Sequence, residues 1–253
     1  MDFSFDNAFD LTGQVALITG GAGGIATCMA ELFAERGATL VLVDRTEETH
    51  EAARSLGSQH LGLVGDVADE ASVQGVVAEA VEKLGRIDIL VNNAGIGPLA
   101  KAEETSAELW DATMAVNLRG SFLYAREVGK QMIAQGGGRI VNMASQAALV
   151  ALDGHLAYCA SKAAVLGMNN VLAMEWGPLG ITVNAISPTV VESAMGAEGT
   201  WAGERGENFK KMIPTRRFAQ PEEIALAALY LVSGAAGMIN GENLVVDGGY
   251  TAT

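Results

Sequence analysis

The stretch "HLAYCASK", residues 155–162, places Tyr158 four residues ahead of Lys162. On a helix that spacing puts both side chains on one face. A tyrosine beside a lysine can move a proton to or from an alcohol. A free phenol has a pKa of about 10, so it is a poor base at neutral pH. Lowering that value by about three units takes roughly 4 kcal/mol of preference for the phenolate. An ammonium at about 4 Å supplies that order of energy at an effective dielectric of about 20. Tyr158 would then act as general base in alcohol oxidation and as general acid in carbonyl reduction. His155 stands three residues before the tyrosine and can both donate and accept a hydrogen bond.

Such a pair works only if the fold brings a redox partner to it. Short, almost wholly apolar runs recur at 14–19, 38–44, 60–66, 87–92, 139–145, 181–187 and 243–249. Strands of this kind are buried on both faces, as in a parallel sheet covered by helices. Helical patterns lie between them at about 24–36, 47–56, 70–84, 106–134, 158–177 and 221–233. Pro221 followed by Glu222 and Glu223 suits a helix start. The alternation predicts an α/β fold: a Rossmann-type, doubly wound parallel sheet of about seven strands with helices on both faces. No linker divides the chain, so residues 1–253 are expected to form one domain. From Pro188 to about Gln220 no strand pattern appears and glycines interrupt any helix. A segment of that length is disordered or a functional lid, here placed at about 189–220.

The first strand runs into "TGGAGGIA", residues 19–26. Glycines between a strand and a helix permit a tight turn and close backbone approach. The helix start then offers free N–H groups to a pyrophosphate. Gly20, Gly24 and Ile25 are the candidate contacts. The pattern alone also fits a turn with no ligand. Asp44 ends the second strand, where a carboxylate can accept hydrogen bonds from ribose hydroxyls and repel a 2′-phosphate. Arg45 follows and could bind such a phosphate, but Gly23 leaves no basic side chain in the turn. The expected cofactor is therefore NAD rather than NADP. There is no P-loop pattern, and the three histidines are too dispersed for a metal motif, so no metal is expected.

The set of motifs, in this order, resembles the short-chain dehydrogenase/reductase family. "TGGAGGIA" is similar to its glycine turn, and "GDV" (65–67) to the segment lining the adenine. "NNAG" (92–95) resembles its central-strand motif, and "SPTVVES" (187–193) the segment beneath the nicotinamide. "AVNLRG", "NMASQ" and "YCASK" carry Asn117, Ser145, Tyr158 and Lys162. The resemblance spans residues 11 to 249 and implies a catalytic role for those four. Ser145 would hydrogen-bond the reacting oxygen. Asn117 would help hold a water that relays the proton from Lys162. It also implies cofactor contacts from Asp66, Val67, Asn93, Tyr158, Lys162 and the backbone of Val191. Two positions depart from the pattern. Ala26 replaces the last glycine of the turn, a change that should be tolerable. Thr189 and Ser193 replace a glycine and a threonine, and a β-branched Thr189 should alter the backbone beside the nicotinamide.

The segment from Ser187 through Trp201 also resembles that of the family's xylulose-reducing members, as do Gln146 and His155. This implies that Ser145, Gln146, His155 and Trp201 face a polyhydroxylated substrate. A small polyol needs several hydrogen-bonding partners, and Trp201 could close over its apolar C–H face. The expected reaction is NAD-dependent oxidation of a four- or five-carbon sugar alcohol, such as threitol or xylitol, to the ketose. Two other readings stay open: an NAD(P)H-dependent 3-oxoacyl-thioester or other carbonyl reductase, and a catalytically silent dinucleotide sensor. A lid bearing Glu192, Glu198, Glu204 and Glu207 looks polar for steroid-type alcohols.

Composition narrows the partners. The 253 residues carry a net charge of −14, which disfavours nucleic acid and anionic membrane surface. Two cysteines without a CxxC spacing suit a reducing compartment. The acidic start lacks a basic stretch followed by an apolar run, and no apolar run is long enough to span a bilayer. A cytoplasmic protein is expected, and the family resemblance implies a homotetramer.

Overall fold

The computed structural model describes residues 7–193, 196 and 200–252. Seven strands run parallel in one sheet: β1 (Val15–Thr19), β2 (Thr39–Asp44), β3 (Leu61–Val64), β4 (Ile89–Asn92), β5 (Gly138–Met143), β6 (Ile181–Pro188) and β7 (Asn243–Val246). Their order is β3-β2-β1-β4-β5-β6-β7. The chain winds outward from β1 to β3, then returns to place β4 on the other side of β1. Ligands of such sheets bind beyond the carboxyl ends of the strands, at this reversal.

The helices are α1 (Gly24–Glu35), α2 (Glu48–Leu56), α3 (Glu70–Leu84), α4 (Ala107–Met114), α5 (Ser121–Gln135), α6 (Leu156–Trp176), α7 (Glu204–Lys210) and α8 (Pro221–Val232). Alternate strand residues explain why two layers of helix are needed. Ala16, Ile18, Leu40 and Leu42 pack with Ala26, Met29 and Phe33 of α1 and Ile224, Ala225 and Ala228 of α8. Val15, Leu17, Val41 and Val43 pack on the other face with Val73, Val76 and Val77 of α3 and Leu123 and Val128 of α5. Each fully buried Val, Leu or Ile contributes about 1.5–3 kcal/mol, so both faces must be covered. Ala26 is fully buried in the first cluster, and a methyl group fits where the family's pattern has glycine. The inner face of α8 is core, whereas Leu226 and Tyr230 are exposed on its outer side.

Two elements differ from the sequence expectation. The single helix expected over 106–134 is three pieces, because a π-helical turn (Ala115–Gly120) separates α4 from α5. That turn carries Asn117, whose amide bonds outside the helix. The stretch expected to lack regular structure contains α7. A small aromatic core of Val190, Phe209, Ile213 and Phe218, flanked by Leu152, Trp201 and Tyr250, holds it to the body. The glycines hid this helix, since its anchoring comes from residues spread over the chain.

Candidate functional site

The carboxyl ends of successive strands supply successive parts of one cavity of about 510 Å³. Gly20 follows β1, Asp44 ends β2, Gly65 and Asp66 follow β3, Asn93 follows β4, Ser145 follows β5 and Thr189 follows β6. Of the residues expected at the site, Gly20, Gly24, Ile25, Asp44, Asp66, Val67, Asn93, Ser145, Gln146, His155, Tyr158, Lys162, Val191 and Trp201 all line it.

At the nucleotide end the turn needs its glycines. Gly20 has φ +69°, and a β-carbon on Gly21 would lie 2.9 Å from the Leu42 side chain. The Ala22 N–H donates to Asp44 Oδ2 at 3.1 Å, and the Arg45 N–H donates to Oδ1 at 2.7 Å. The carboxylate thus ties the turn to the end of β2. Helix α1 begins directly after the turn with no acidic residue in its first turn, so its positive end is open to an anion. Asn93 donates to the Thr19 carbonyl at 3.0 Å and clamps the end of β4 to β1. The Ala68 N–H donates to Asp66 Oδ1 at 2.8 Å. The open helix start and the Asp44 carboxylate suit the anionic and hydroxyl-bearing parts of a dinucleotide.

At the other end Tyr158 and Lys162 share one face of α6. A buried amide chain runs from Asn92 on β4 to Asn142 on β5 and Asn169 on α6, with separations of 2.9 and 3.2 Å. It fixes α6 against the strands that carry Ser145. A side-chain hydrogen bond joins Ser145 to Tyr158, and the Ala147 N–H donates to Ser145 Oγ at 3.1 Å. Lys162 Nζ donates to the Met143 carbonyl at 2.6 Å and lies 5.7 Å from the centroid of the tyrosine ring.

The ionisation differs from the simple expectation that Lys162 lowers the Tyr158 pKa. Burial pushes Tyr158 above the ordinary phenol value, and the bond to Ser145 only partly offsets this. Burial pulls Lys162 down to about 8. The lysine is desolvated and committed to a carbonyl. It does not act as an exposed ammonium at 4 Å would.

Asn117 does not line the cavity. It is fully buried. Its Oδ1 accepts from the Ile96 N–H at 2.8 Å, and its amide donates to the Ile96 carbonyl at 2.9 Å and to Ser161 Oγ at 3.0 Å. A β-carbon on Gly95 would sit 3.4 Å from Asn117 Oδ1 and 3.6 Å from Lys162 Nζ. Glycine at that position therefore leaves a small space between the two side chains.

His155 caps the start of α6. Its Nδ1 lies 2.9 Å from the Asp153 carbonyl oxygen. The neutral ring must hold its proton there, which leaves Nε2 as an acceptor. Burial first, and Arg205 second, hold its pKa below the usual histidine value. The ring stacks on Trp201 with centroids 5.8 Å apart, and the Arg205 guanidinium covers Trp201 at 4.5 Å. Gln146 is 1% exposed, and neither atom of its amide has a hydrogen-bond partner among the described residues.

The Thr189 N–H donates to the Val246 carbonyl at 3.0 Å and prolongs the pairing of β6 with β7. Among the described residues Arg216 is the non-glycine residue with positive φ, so Thr189 does not take the left-handed conformation. Val191 forms a bridge with Ala219 through the groups of its neighbours, which turns its own N–H away from Ala219. Sequence reasoning did not reach Leu152, Gly97, Arg205 and the Thr189 hydroxyl. Only Gly97 had a signal, its place just after "NNAG"; a β-carbon there would lie 3.4 Å from the tyrosine ring. Glu198 lies outside the described residues.

Comparison with known proteins follows the same lines. A family model described as Enoyl-(Acyl carrier protein) reductase matches residues 20–251. The chain belongs to the short-chain dehydrogenase/reductase family. An NAD-dependent glycerol dehydrogenase of Listeria innocua is 53% identical, over 98% of this chain and 97% of that protein. A D-threitol dehydrogenase of Mycolicibacterium smegmatis is 54% identical, over 99% and 97%. Among solved structures, a putative NAD(P)-dependent gluconate 5-dehydrogenase from Beutenbergia cavernae with bound NADP superposes with a TM-score of 0.93. It is 37% identical and covers 97% of this chain and 100% of its own. Among the described residues no helix is long and apolar enough to cross a membrane. No group of three or more His, Cys, Asp or Glu among them could hold a metal.

Proposed function

We propose that the protein is an NAD-dependent polyol dehydrogenase that oxidises a secondary alcohol of a four- or five-carbon sugar alcohol to the ketose. The observation that carries the polyol reading is Gln146. It is buried beside Ser145 at the cavity wall, with both amide atoms unpaired. A buried amide left unpaired costs about 1–3 kcal/mol, and substrate hydroxyls would recover that. The two relatives above half identity, named for glycerol and threitol, support the same substrate class.

The residues suit the cofactor. Asp44 would accept from ribose hydroxyls, and the start of α1 would face the pyrophosphate. The Val191 N–H would meet the carboxamide, and Asp66 and Val67 would border the adenine. The bound nicotinamide would accept the hydride and, when oxidised, add positive charge beside the phenol. Asp44 favours NAD by repelling a 2′-phosphate.

Once the positive charge of the bound, oxidised nicotinamide had favoured the phenolate, Tyr158 Oη would take the proton of the reacting hydroxyl, while Ser145 Oγ donates to the same oxygen. Lys162 Nζ, drawn down to about 8, would pass a proton onward at working pH. The space beside Gly95, between Lys162 Nζ and Asn117 Oδ1, would hold a relaying water. This makes Asn117 a positioning residue. His155 Nε2 would accept from a substrate hydroxyl under Trp201. The whole chain would work as one catalytic domain with residues 189–220 as its lid. Family likeness supports a homotetramer.

The test is a screen of four- to six-carbon polyols with NAD and with NADP. Turnover of at least one polyol with NAD is expected. The reading fails if none is oxidised while acyl-thioester ketones are reduced with NADPH.

A further inference from the structure

We propose that the Thr189 hydroxyl is a specificity determinant, pairing with Gln146 to bind a substrate hydroxyl other than the one oxidised. The inference rests on the dehydrogenase reading above and adds a residue to it.

Thr189 is 7% exposed, lines the cavity, and its Oγ1 has no hydrogen-bond partner among the described residues. Other buried threonines in the chain do find one. Thr49 donates to the Leu42 carbonyl at 3.1 Å, and Thr113 to the Leu109 carbonyl at 2.8 Å. Thr182 lacks one too, but it sits at the amino end of β6 and does not line the cavity. The Thr189 backbone N–H is already satisfied by Val246, so the hydroxyl alone is left over.

Sheet register brings Thr189 and Gln146 out of the sheet in step. Met143 of β5 pairs with Ile186 of β6. Gln146 and Thr189 each follow three residues later, so the two chains leave the sheet side by side. Both unpaired groups have almost no accessible surface in the ligand-free protein, so a rotation of each side chain would present them to the cavity, where Leu152, Val190 and Trp201 supply apolar wall. A hydroxyl brings a donor and acceptors at once, and it can satisfy a carboxamide and a threonine hydroxyl together. A mono-alcohol offers nothing to this pair once its single oxygen is held by Ser145 and Tyr158.

The test compares Thr189→Val and Thr189→Ser on matched substrates, butane-2,3-diol and 2-butanol, with NAD. Thr189→Val should lower kcat/KM for the diol about tenfold more than for 2-butanol, and Thr189→Ser should restore the diol. Because the valine removes an unpaired buried oxygen, the ligand-free variant should melt at or above the wild-type temperature. Equal losses on both substrates, or none on either, would overturn the proposal. Calorimetric titration of threitol into NADH-saturated protein separates the two readings. If the wild type oxidises no alcohol yet loses threitol binding on Thr189→Val, the dehydrogenase reading falls and the Thr189 contact stands. If the wild type binds no threitol, both fall.

Discussion

The two ends of the cavity are finished to different degrees. At the nucleotide end the polar side chains are used within the protein. Asp44 accepts from Ala22 and Arg45, Asn93 clamps β1 to β4, and Asp66 holds the Ala68 N–H. At the substrate end Gln146 and Thr189 are buried without hydrogen-bond partners among the described residues. Partnered groups shape a site before ligand arrives. Unpartnered ones cost stability until ligand arrives, and they discriminate against molecules that cannot pair with them. On the proposed function, the cavity joins a preformed nucleotide cleft to a pocket whose unpaired groups would meet substrate hydroxyls.

Substitutions can break this contrast. The largest effect should fall on the group shared by both ends. Tyr158→Phe should reduce kcat by about 10³-fold or more while NAD binding, read by calorimetry, is retained. Next, Asp44→Ala should raise the KM for NAD by tenfold or more. It should also lower the melting temperature, because the Ala22 N–H loses its acceptor. Gln146→Leu should raise the KM for the best polyol about tenfold and should not destabilise the ligand-free protein. Opposite signs of the thermal shift for these two variants would sharpen the comparison. The same sign for both would break it.

The smallest effect concerns Lys162. Its folded pKa of about 8 lies below the unfolded value of 10.5, so the unfolded chain binds more protons between those values. Stability attributable to this group is lowest below pH 8 and recovers as pH rises towards 10.5. Lys162→Met should therefore be more stable than wild type at pH 7. Urea unfolding across this range should show the gap closing above pH 8.

Much of this was legible before any coordinates. Strands buried on both faces read as continuous apolar runs, and β1, β2, β4 and β6 fall within a residue or two of those runs. Motif order also located the cavity wall, from Gly20 to Trp201. What stayed hidden depends on contacts between distant residues. The π-helical turn at Asn117 exists because its amide bonds Ile96 and Ser161, and no local pattern encodes that. Helix α7 is held by Phe218 and Val190 from outside itself. The state of Tyr158 depends on burial, which a spacing of four residues does not report. Thr189 reads from sequence as a backbone departure. Only the fold reveals that its hydroxyl is left without a partner.

The most direct test of the central claim is NADH production from a panel of small polyols by wild type and Tyr158→Phe, side by side. The account predicts robust NAD-dependent oxidation of a four- or five-carbon polyol by the wild type and near-complete loss in the variant, with NAD still bound. Equal rates in the two proteins, or NAD binding with no polyol oxidation by either, would contradict it.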